Sequence, residues 1–289
     1  MRLFKYFGPD RVSILQTRLI RFSQPSAFND PFEFLPYIDS IDTPGNVTDL
    51  FRKTMESEFS KEYDALDEFV KSQCTRAQFR TLMQSYLLVA QQQPGGILGQ
   101  FAQLAQEKIH EFSSQQMGVL CLSERYDDLL MWAHYADCHK GFVIEFDSNS
   151  PFFHQRRSEN DSLRHLQAVI YSKERPAITL ADTDMNELFL TKSEHWAYEK
   201  EWRMIVGLAD ADKVMSNGNE EICLYEFPAD AIKSVFVGAR MNADVAAALI
   251  ENVNNDSSLG HLSIFKAKVH STNYDLVFEQ VSAGSATEL

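Results

Sequence analysis

The stretch Trp196-Ala197-Tyr198-Glu199-Lys200-Glu201-Trp202-Arg203 gathers acids, cations and rings immediately before the strand-forming Met204-Ile205-Val206. Read as one continuous strand, its side chains alternate: Glu199, Glu201 and Arg203 take one face, and Tyr198, Lys200 and Trp202 the other. Two carboxylates on one face repel, and apolar neighbours raise the cost by limiting water. A cation, a solvent edge or a ligand hydroxyl must compensate them. The chemistry open to carboxylates held this way is proton transfer and the steadying of positive charge. The alternative is a solvated strand edge whose acids meet lysines or arginines of a neighbouring strand.

Two further segments hold polar groups among rings. Gln24-Pro25-Ser26-Ala27-Phe28-Asn29-Asp30-Pro31-Phe32-Glu33 carries two prolines and an Asn-Asp pair, which predicts a fixed loop able to position side chains. The block from Ser123 to Gly141 predicts a helix over Asp127 to Ala136. One of its stripes is Leu129, Trp132, Ala133 and Ala136, with Met131, His134 and Tyr135 turned partly to the other side. His134 and Cys138 stand four apart, as two metal ligands can, but no third or fourth ligand completes a pattern, and no metal is expected. A Gly-x-Ser-x-Gly elbow, a phosphate-binding P-loop and a dinucleotide-binding glycine fingerprint are all absent. Glu199-Lys200-Glu201 sets its lysine between the acids, whereas a metal-dependent nuclease carries it two positions beyond one of them.

The elements that must position these groups read as α+β. Short strands are expected at Leu3 to Phe7 and Leu19 to Ser23, with a helix over Asp10 to Leu19 between them. A helical block follows over 47–116, broken at Pro94-Gly95-Gly96, whose stripes (Phe51, Met55, Phe59, Leu66, Phe69 and Val70; Phe79, Leu82, Met83, Tyr86 and Leu87; Ile97, Phe101, Leu104, Ile109 and Phe112) read as core. Strands return at Gly118 to Ser123, Gly141 to Phe146, Ala168 to Tyr171, Ile222 to Phe227, Ser234 to Gly238, Leu262 to His270 and Tyr274 to Val281. Helices are expected over Met185 to Glu194 and over Ala243 to Val253, the latter capped by Asn242. The whole predicts a single domain, 1–289, on a mostly antiparallel sheet with 47–116 inserted between its first strands and the rest.

The net charge of −14 repels phosphate backbones and anionic membranes, so broad nucleic-acid binding is not expected. The basic run around Arg156, Arg157, Arg164 and His165 reads first as a short solvated loop, with a local basic patch as the alternative. Four scattered cysteines without a CxxC pair, no signal-peptide pattern and no run of about 18 apolar residues predict a soluble cytoplasmic protein with no membrane partner.

Taken together, Lys5-Tyr6, Phe28-Asn29-Asp30-Pro31-Phe32, the run from Leu130 to Asp137 followed by His139-Lys140-Gly141, and Trp196 with the run from Tyr198 to Arg203 resemble a bacterial domain-of-unknown-function family. That family resembles in turn a remote branch of the ADP-ribosyltransferase superfamily. The resemblance implies a split antiparallel sheet with NAD⁺, as substrate, in its cleft. It assigns the adenosine side to Tyr6 with Lys5, where His or Arg is commoner, and the nicotinamide side to Ser123 with Trp132 or Tyr135. Glu201 becomes the essential glutamate at the start of a late strand, and Glu199 the upstream acid of a Glu-x-Glu pair. Glu201 then steadies the oxocarbenium-like state as the nicotinamide–ribose bond breaks, Glu199 deprotonates the acceptor, and Arg203 keeps Glu201 ionised. Asn29 and Asp30 either bond ligand hydroxyls or cap their own turn. Such enzymes often act as toxins or phage-defence effectors, which implies an acceptor among proteins or nucleic acids and a cognate antitoxin. A non-catalytic nucleotide- or protein-binding module and a phosphodiester-cleaving enzyme are the alternative readings.

Overall fold

A computed structural model describes residues 1–35, 37–40, 59–91, 97–179, 185–218 and 220–281. In chain order the strands are β1 (Arg2–Phe7), β2 (Leu19–Arg21), β3 (Tyr37–Ser40), β4 (Met117–Ser123), β5 (Phe142–Asp147), β6 (Gln167–Ala168), β7 (Ile170–Ser172) and β8 (Ala177–Thr179). They continue as β9 (Thr191–Ser193), β10 (Glu201–Gly207), β11 (Lys213–Asn217), β12 (Glu220–Glu226), β13 (Ile232–Val237), β14 (Ser263–Val269) and β15 (Leu276–Val281). The chain gathers into two compact units: Met1–Glu33, Ser113–Glu174 and Phe189–Leu289 form one, and Phe34–Phe112 with Arg175–Leu188 the other.

The first unit is built on an 8-stranded sheet in the order β15-β14-β13-β5-β1-β4-β10-β6. Its pairs are antiparallel except β13 with β14, so the expected α+β, mostly antiparallel architecture holds with one parallel pair added. That pair requires a crossover, and the helix Ala243–Asn255 supplies it. Asn242 caps this helix, accepting from the backbone N–H of Asp244 at 2.9 Å and of Val245 at 3.4 Å. Ala246, Leu249, Ile250 and Val253 recur at helical spacing and bury the inner face.

Alternation along β1 divides the core. Leu3 and Phe7 join the large apolar cluster on one sheet face, while Phe4 and Tyr6 join a second cluster with Trp132, Val143 and Phe236 on the other. A sheet covered on both faces makes its central strands apolar throughout, as Phe142-Val143-Ile144 of β5 shows. The pairing of β1 is lopsided. It matches β5 over six consecutive positions but meets β4 at Phe4↔Ser123 alone, at the last residue of β4; before that pair β4 parts from β1, and Val119 bridges Ser23 instead.

In the second unit, 59–65, Glu68–Gln73, Arg76–Gln91 and the part of the helix Ile97–Gln116 up to Phe112 are helical, and β3 pairs β8 in parallel. The expected beginning at Val47 and the break at Pro94-Gly95-Gly96 lie outside the described residues. The expectation that every apolar stripe here is core is corrected: Phe59 is buried, but Val70, Leu82, Leu104 and Phe112 are exposed. Periodicity tells which side chains share a helix face; only tertiary packing tells whether a neighbour covers it. Among the described residues, no helix is long and apolar enough to cross a membrane.

Candidate functional site

The glutamate segment is not one strand. Residues Glu194–Glu199 form a 3₁₀ helix, Lys200 turns through the left-handed region (φ 44°, ψ 55°), and β10 begins at Glu201. Glu201 and Arg203 do share a face of β10, but Glu199 reaches the same place from the helix end, through the turn. A strand would have carried it one repeat away along the sheet. Ser123 and its neighbour hold the turn, the Ser123 hydroxyl donating to the Glu199 carbonyl and the Glu124 N–H donating to the Lys200 carbonyl at 3.1 Å. Because the left-handed region disfavours β-branched residues most, Lys200→Ile is expected to cost about 1–2 kcal/mol and Lys200→Gly close to nothing, as denaturant unfolding would measure.

The two carboxylates converge on a cation supplied by β9. The Lys192 ammonium donates to Glu199 Oε2 at 2.6 Å and to Glu201 Oε2 at 2.9 Å, and lies 3.4 Å from Glu33 Oε1. Arg203 completes the cluster, its Nε and Nη2 donating to Glu201 at 2.7 and 3.0 Å, its Nη1 to the Phe189 carbonyl, and its Nη2 also to Glu33. Glu33, Lys192, Glu199 and Glu201 are each no more than 5% exposed, and Arg203 is fully buried. Charges taken this far from water must be paired and hydrogen-bonded to persist. Three carboxylates face two cations, so one acid is in excess.

Local fields separate the acids. Burial alone would raise the Glu201 carboxyl, but Arg203 and then Lys192 outweigh it and hold Glu201 well below the ordinary glutamate range. At Glu199 burial dominates and pushes the carboxyl up, with Lys192 opposing it. Glu33 is raised the same way, chiefly by burial, and its Oε2 is a buried acceptor with no hydrogen-bond partner among the described residues. Burial and then Glu199 raise the Tyr135 phenol, which stays protonated and donates to Glu199 Oε1 at 2.6 Å. Asn29 Nδ2 donates to the same phenol oxygen at 3.4 Å.

A cleft of about 370 Å³ opens above this cluster. Its wall takes Phe4, Lys5 and Tyr6 from β1 and Val119, Cys121, Leu122 and Ser123 from β4, so it lies where these strands part. Phe28, Asn29, Met131, His134, Tyr135, Lys192, Glu199 and Glu201 close it. Of the residues singled out from sequence, Lys5, Tyr6, Asn29, Ser123, Tyr135, Glu199 and Glu201 line the cleft together.

Three do not. Trp132 is fully buried, donates its indole N–H to the Tyr126 carbonyl at 2.7 Å and packs edge-on to Tyr6, supporting the wall from behind. Asp30 bonds the Phe32 N–H at 2.9 Å, which is the turn-capping alternative for that residue. Arg203 lies beneath Glu201, out of the lining. The helix Leu129–Tyr135 presents Met131, His134 and Tyr135 to the cleft, matching the two-face reading. Lys5 is buried enough to lower its ammonium's pKa, and donates to the Cys121 carbonyl at 3.0 Å.

The rest of the middle motif is structural. Asp137, Cys138 and His139 all have positive φ, ending the helix in a left-handed turn. A Cβ on Gly141 would lie 1.9 Å from the Phe7 carbonyl oxygen, so only glycine fits there. Among the described residues no group of three or more His, Cys, Asp or Glu is placed to hold a metal, and His134 packs edge-on to Trp196. In the basic segment, Arg157 and Arg164 both bond Asp210, which neutralises part of it.

Residues 131–204 match the family described as Protein of unknown function (DUF2971). No curated protein and no solved structure matches the chain. The matched span runs from the helix bearing Tyr135 into β10, just past Arg203, and so holds Lys192, Glu199, Glu201 and Arg203. Lys5, Tyr6, Asn29, Glu33 and Ser123 lie outside it.

Sequence reasoning passed over Lys192, Glu33 and Tyr171, whose phenol oxygen accepts from the Glu201 N–H at 2.8 Å. One signal existed for the lysine: two acids on one face demand a cation, and Arg203 alone leaves Glu199 uncompensated. Nothing local distinguishes Lys192 from the other lysines of the chain.

Proposed function

We propose that the cleft binds NAD⁺ and cleaves its nicotinamide–ribose bond, passing the ADP-ribosyl group to an acceptor or to water. What carries this reading is that Glu199 and Glu201 meet on one ammonium in the wall of a cleft opened between two sheet strands. Paired carboxylates whose surroundings push their proton affinities apart are the usual mark of divided labour in glycosidic bond cleavage. Here Glu201 is the permanent anion and Glu199 the proton carrier.

Bond breaking sends its electron pair to the nicotinamide nitrogen and leaves positive charge on the ribose carbon. Glu201 steadies that charge through its field, since its oxygens take three bonds from two full cations, Arg203 and Lys192, whereas Glu199 takes one from a cation and one from a neutral phenol. Glu199 accepts the proton of the nucleophile that closes on the same carbon. Tyr6, Phe28 and Tyr135 offer ring faces or edges to a planar ligand, and Lys5 offers a cation to phosphate. The single register pair between β1 and β4 supports a split sheet of the ADP-ribosyltransferase kind. An enzyme of this sort would serve as a toxin or phage-defence effector in the bacterial cytoplasm, held in check by a cognate antitoxin.

The full engagement of Glu201 favours one other reading, a module that binds a nucleotide or a protein partner without turnover. Incubation of the purified chain with labelled NAD⁺ and protein, DNA, RNA and small-molecule acceptors separates the two. Released nicotinamide is expected; NAD⁺-induced thermal stabilisation without release under any acceptor supports the module, and neither release nor stabilisation overturns the NAD⁺ reading and leaves the module only a protein or a different nucleotide as its ligand.

The pH profile carries its own expectation. Glu199 must be deprotonated to act, and its folded-state pKa is raised, so the acidic limb of the rate should lie above glutamate's ordinary 4.5. Activity rises as pH climbs through that limb. A limb at or below that value, or one retained in Glu199→Gln, removes Glu199 from the base role.

A further inference from the structure

We infer that Lys192 is the positioning residue of this site: one buried ammonium, bonded to Glu199 and Glu201 together, fixes their placement and keeps Glu199 able to give up its proton. The inference rests on the proposed NAD⁺-cleaving reading for its kinetic consequence, but its structural half stands alone.

Geometry makes the case. Lys192 is 5% exposed, lines the cleft, and lies over the Trp196 ring with its nitrogen 5.1 Å from the centroid. It comes from β9, and groups from several elements face it: Glu199 and Trp196 from the 3₁₀ helix, Glu201 and Arg203 from β10, Glu33 from the loop after Pro31, and Tyr135 through Glu199. Tyr171 of β7 holds the Glu201 N–H, and Lys5 and Cys121 line the same cleft. Among the described residues, Arg203 bonds Glu201 and Glu33, and it is Lys192 that bonds Glu199. Lys192 is therefore the cation that couples Glu199 to the rest. Removing a cation from beside a buried carboxyl favours its neutral form, which moves the carboxyl further up and out of the working range of a base.

Lys192→Met and Lys192→Arg, made in the full chain, test this. The first readout needs no turnover: carboxyl carbons of labelled glutamate are followed by NMR against pH, with Glu199→Gln assigning the signal. In Lys192→Met the Glu199 titration is expected to move up by at least about one pH unit, and in Lys192→Arg by much less, because the charge remains. The second readout is nicotinamide release. Lys192→Met should lower kcat about 100-fold or more with KM changed little, and shift the acidic limb upward with the NMR titration. Lys192→Arg should recover part of the rate.

A folded Lys192→Met with an unmoved Glu199 titration overturns the inference. If Lys192→Met does not fold, Lys192→Gln decides, since it keeps a donor and drops the charge: a Glu199 titration moved up by about a unit supports the role, and an unmoved one overturns it. If the unsubstituted chain releases no nicotinamide, the NAD⁺ reading fails while the carboxyl titration still tests Lys192.

Discussion

Glu201→Gln is expected to lower nicotinamide release by about 10³-fold or more while leaving a folded chain, because it deletes an anion that Arg203 and Lys192 hold ionised beside the cleft. The charge count explains why the fold should survive. Without Glu201, two carboxylates, Glu33 and Glu199, remain against two cations, Lys192 and Arg203, and all four keep a bonded or close partner of opposite sign. Glutamine is nearly isosteric and can still accept from Arg203, although its amide must turn a donor toward one of the cations. The comparison is to be made on labelled NAD⁺ with unfolding curves measured on the same samples. A stable Glu201→Gln that retains its rate removes the charge-stabilising role altogether. If overexpression of the unsubstituted chain slows growth, the same substitution should relieve it.

Arg203→Met reverses that arithmetic and is expected to be the most damaging single change in the cluster. It leaves three acids around Lys192 alone, strips the two Arg203 contacts from Glu201, and buries Glu33 without its closest cation. Breaking a buried pair by removing one partner costs about 3–5 kcal/mol, a large part of a typical domain's stability. Denaturant unfolding should register that loss, and Arg203→Lys should recover only some of it, since an ammonium cannot make the forked contact with Glu201. The sign with pH follows from Glu201. Its folded value is depressed, so its contribution is present above the ordinary 4.5 and is lost as pH falls through the folded value. Arg203→Met should therefore flatten the stability profile on the acidic side. A loss of less than about 1 kcal/mol, at the level of an exposed ion pair, would show that the cluster is hydrated in solution.

Several elements could be read from local pattern. Asn242 announced the start of its helix, and the apolar run after Gly141 announced a central strand. In both, the residues that determine the element are neighbours in the chain. The pairing of Met131, His134 and Tyr135 on one helix face also followed from spacing alone. The glutamate segment misled because its composition suits a strand while Lys200 takes a left-handed turn, which no non-glycine residue signals. Trp132 misled differently: a tryptophan on the candidate helix looks like a stacking surface, but the rings of Tyr6, His139 and Phe278 pack around it and it is fully buried.

The amino-acid order by itself determined that this chain makes a mostly antiparallel α+β unit and that its acids, Glu199 and Glu201, sit among rings. Tertiary structure alone decided that those acids share one ammonium, that Arg203 lies beneath the cleft, and that Glu33, from a loop 170 residues from Arg203 in the chain, completes the cluster. The reason is that helix and strand periodicity are written over a few residues, whereas the balance of buried charge depends on groups that only the folded sheet brings together.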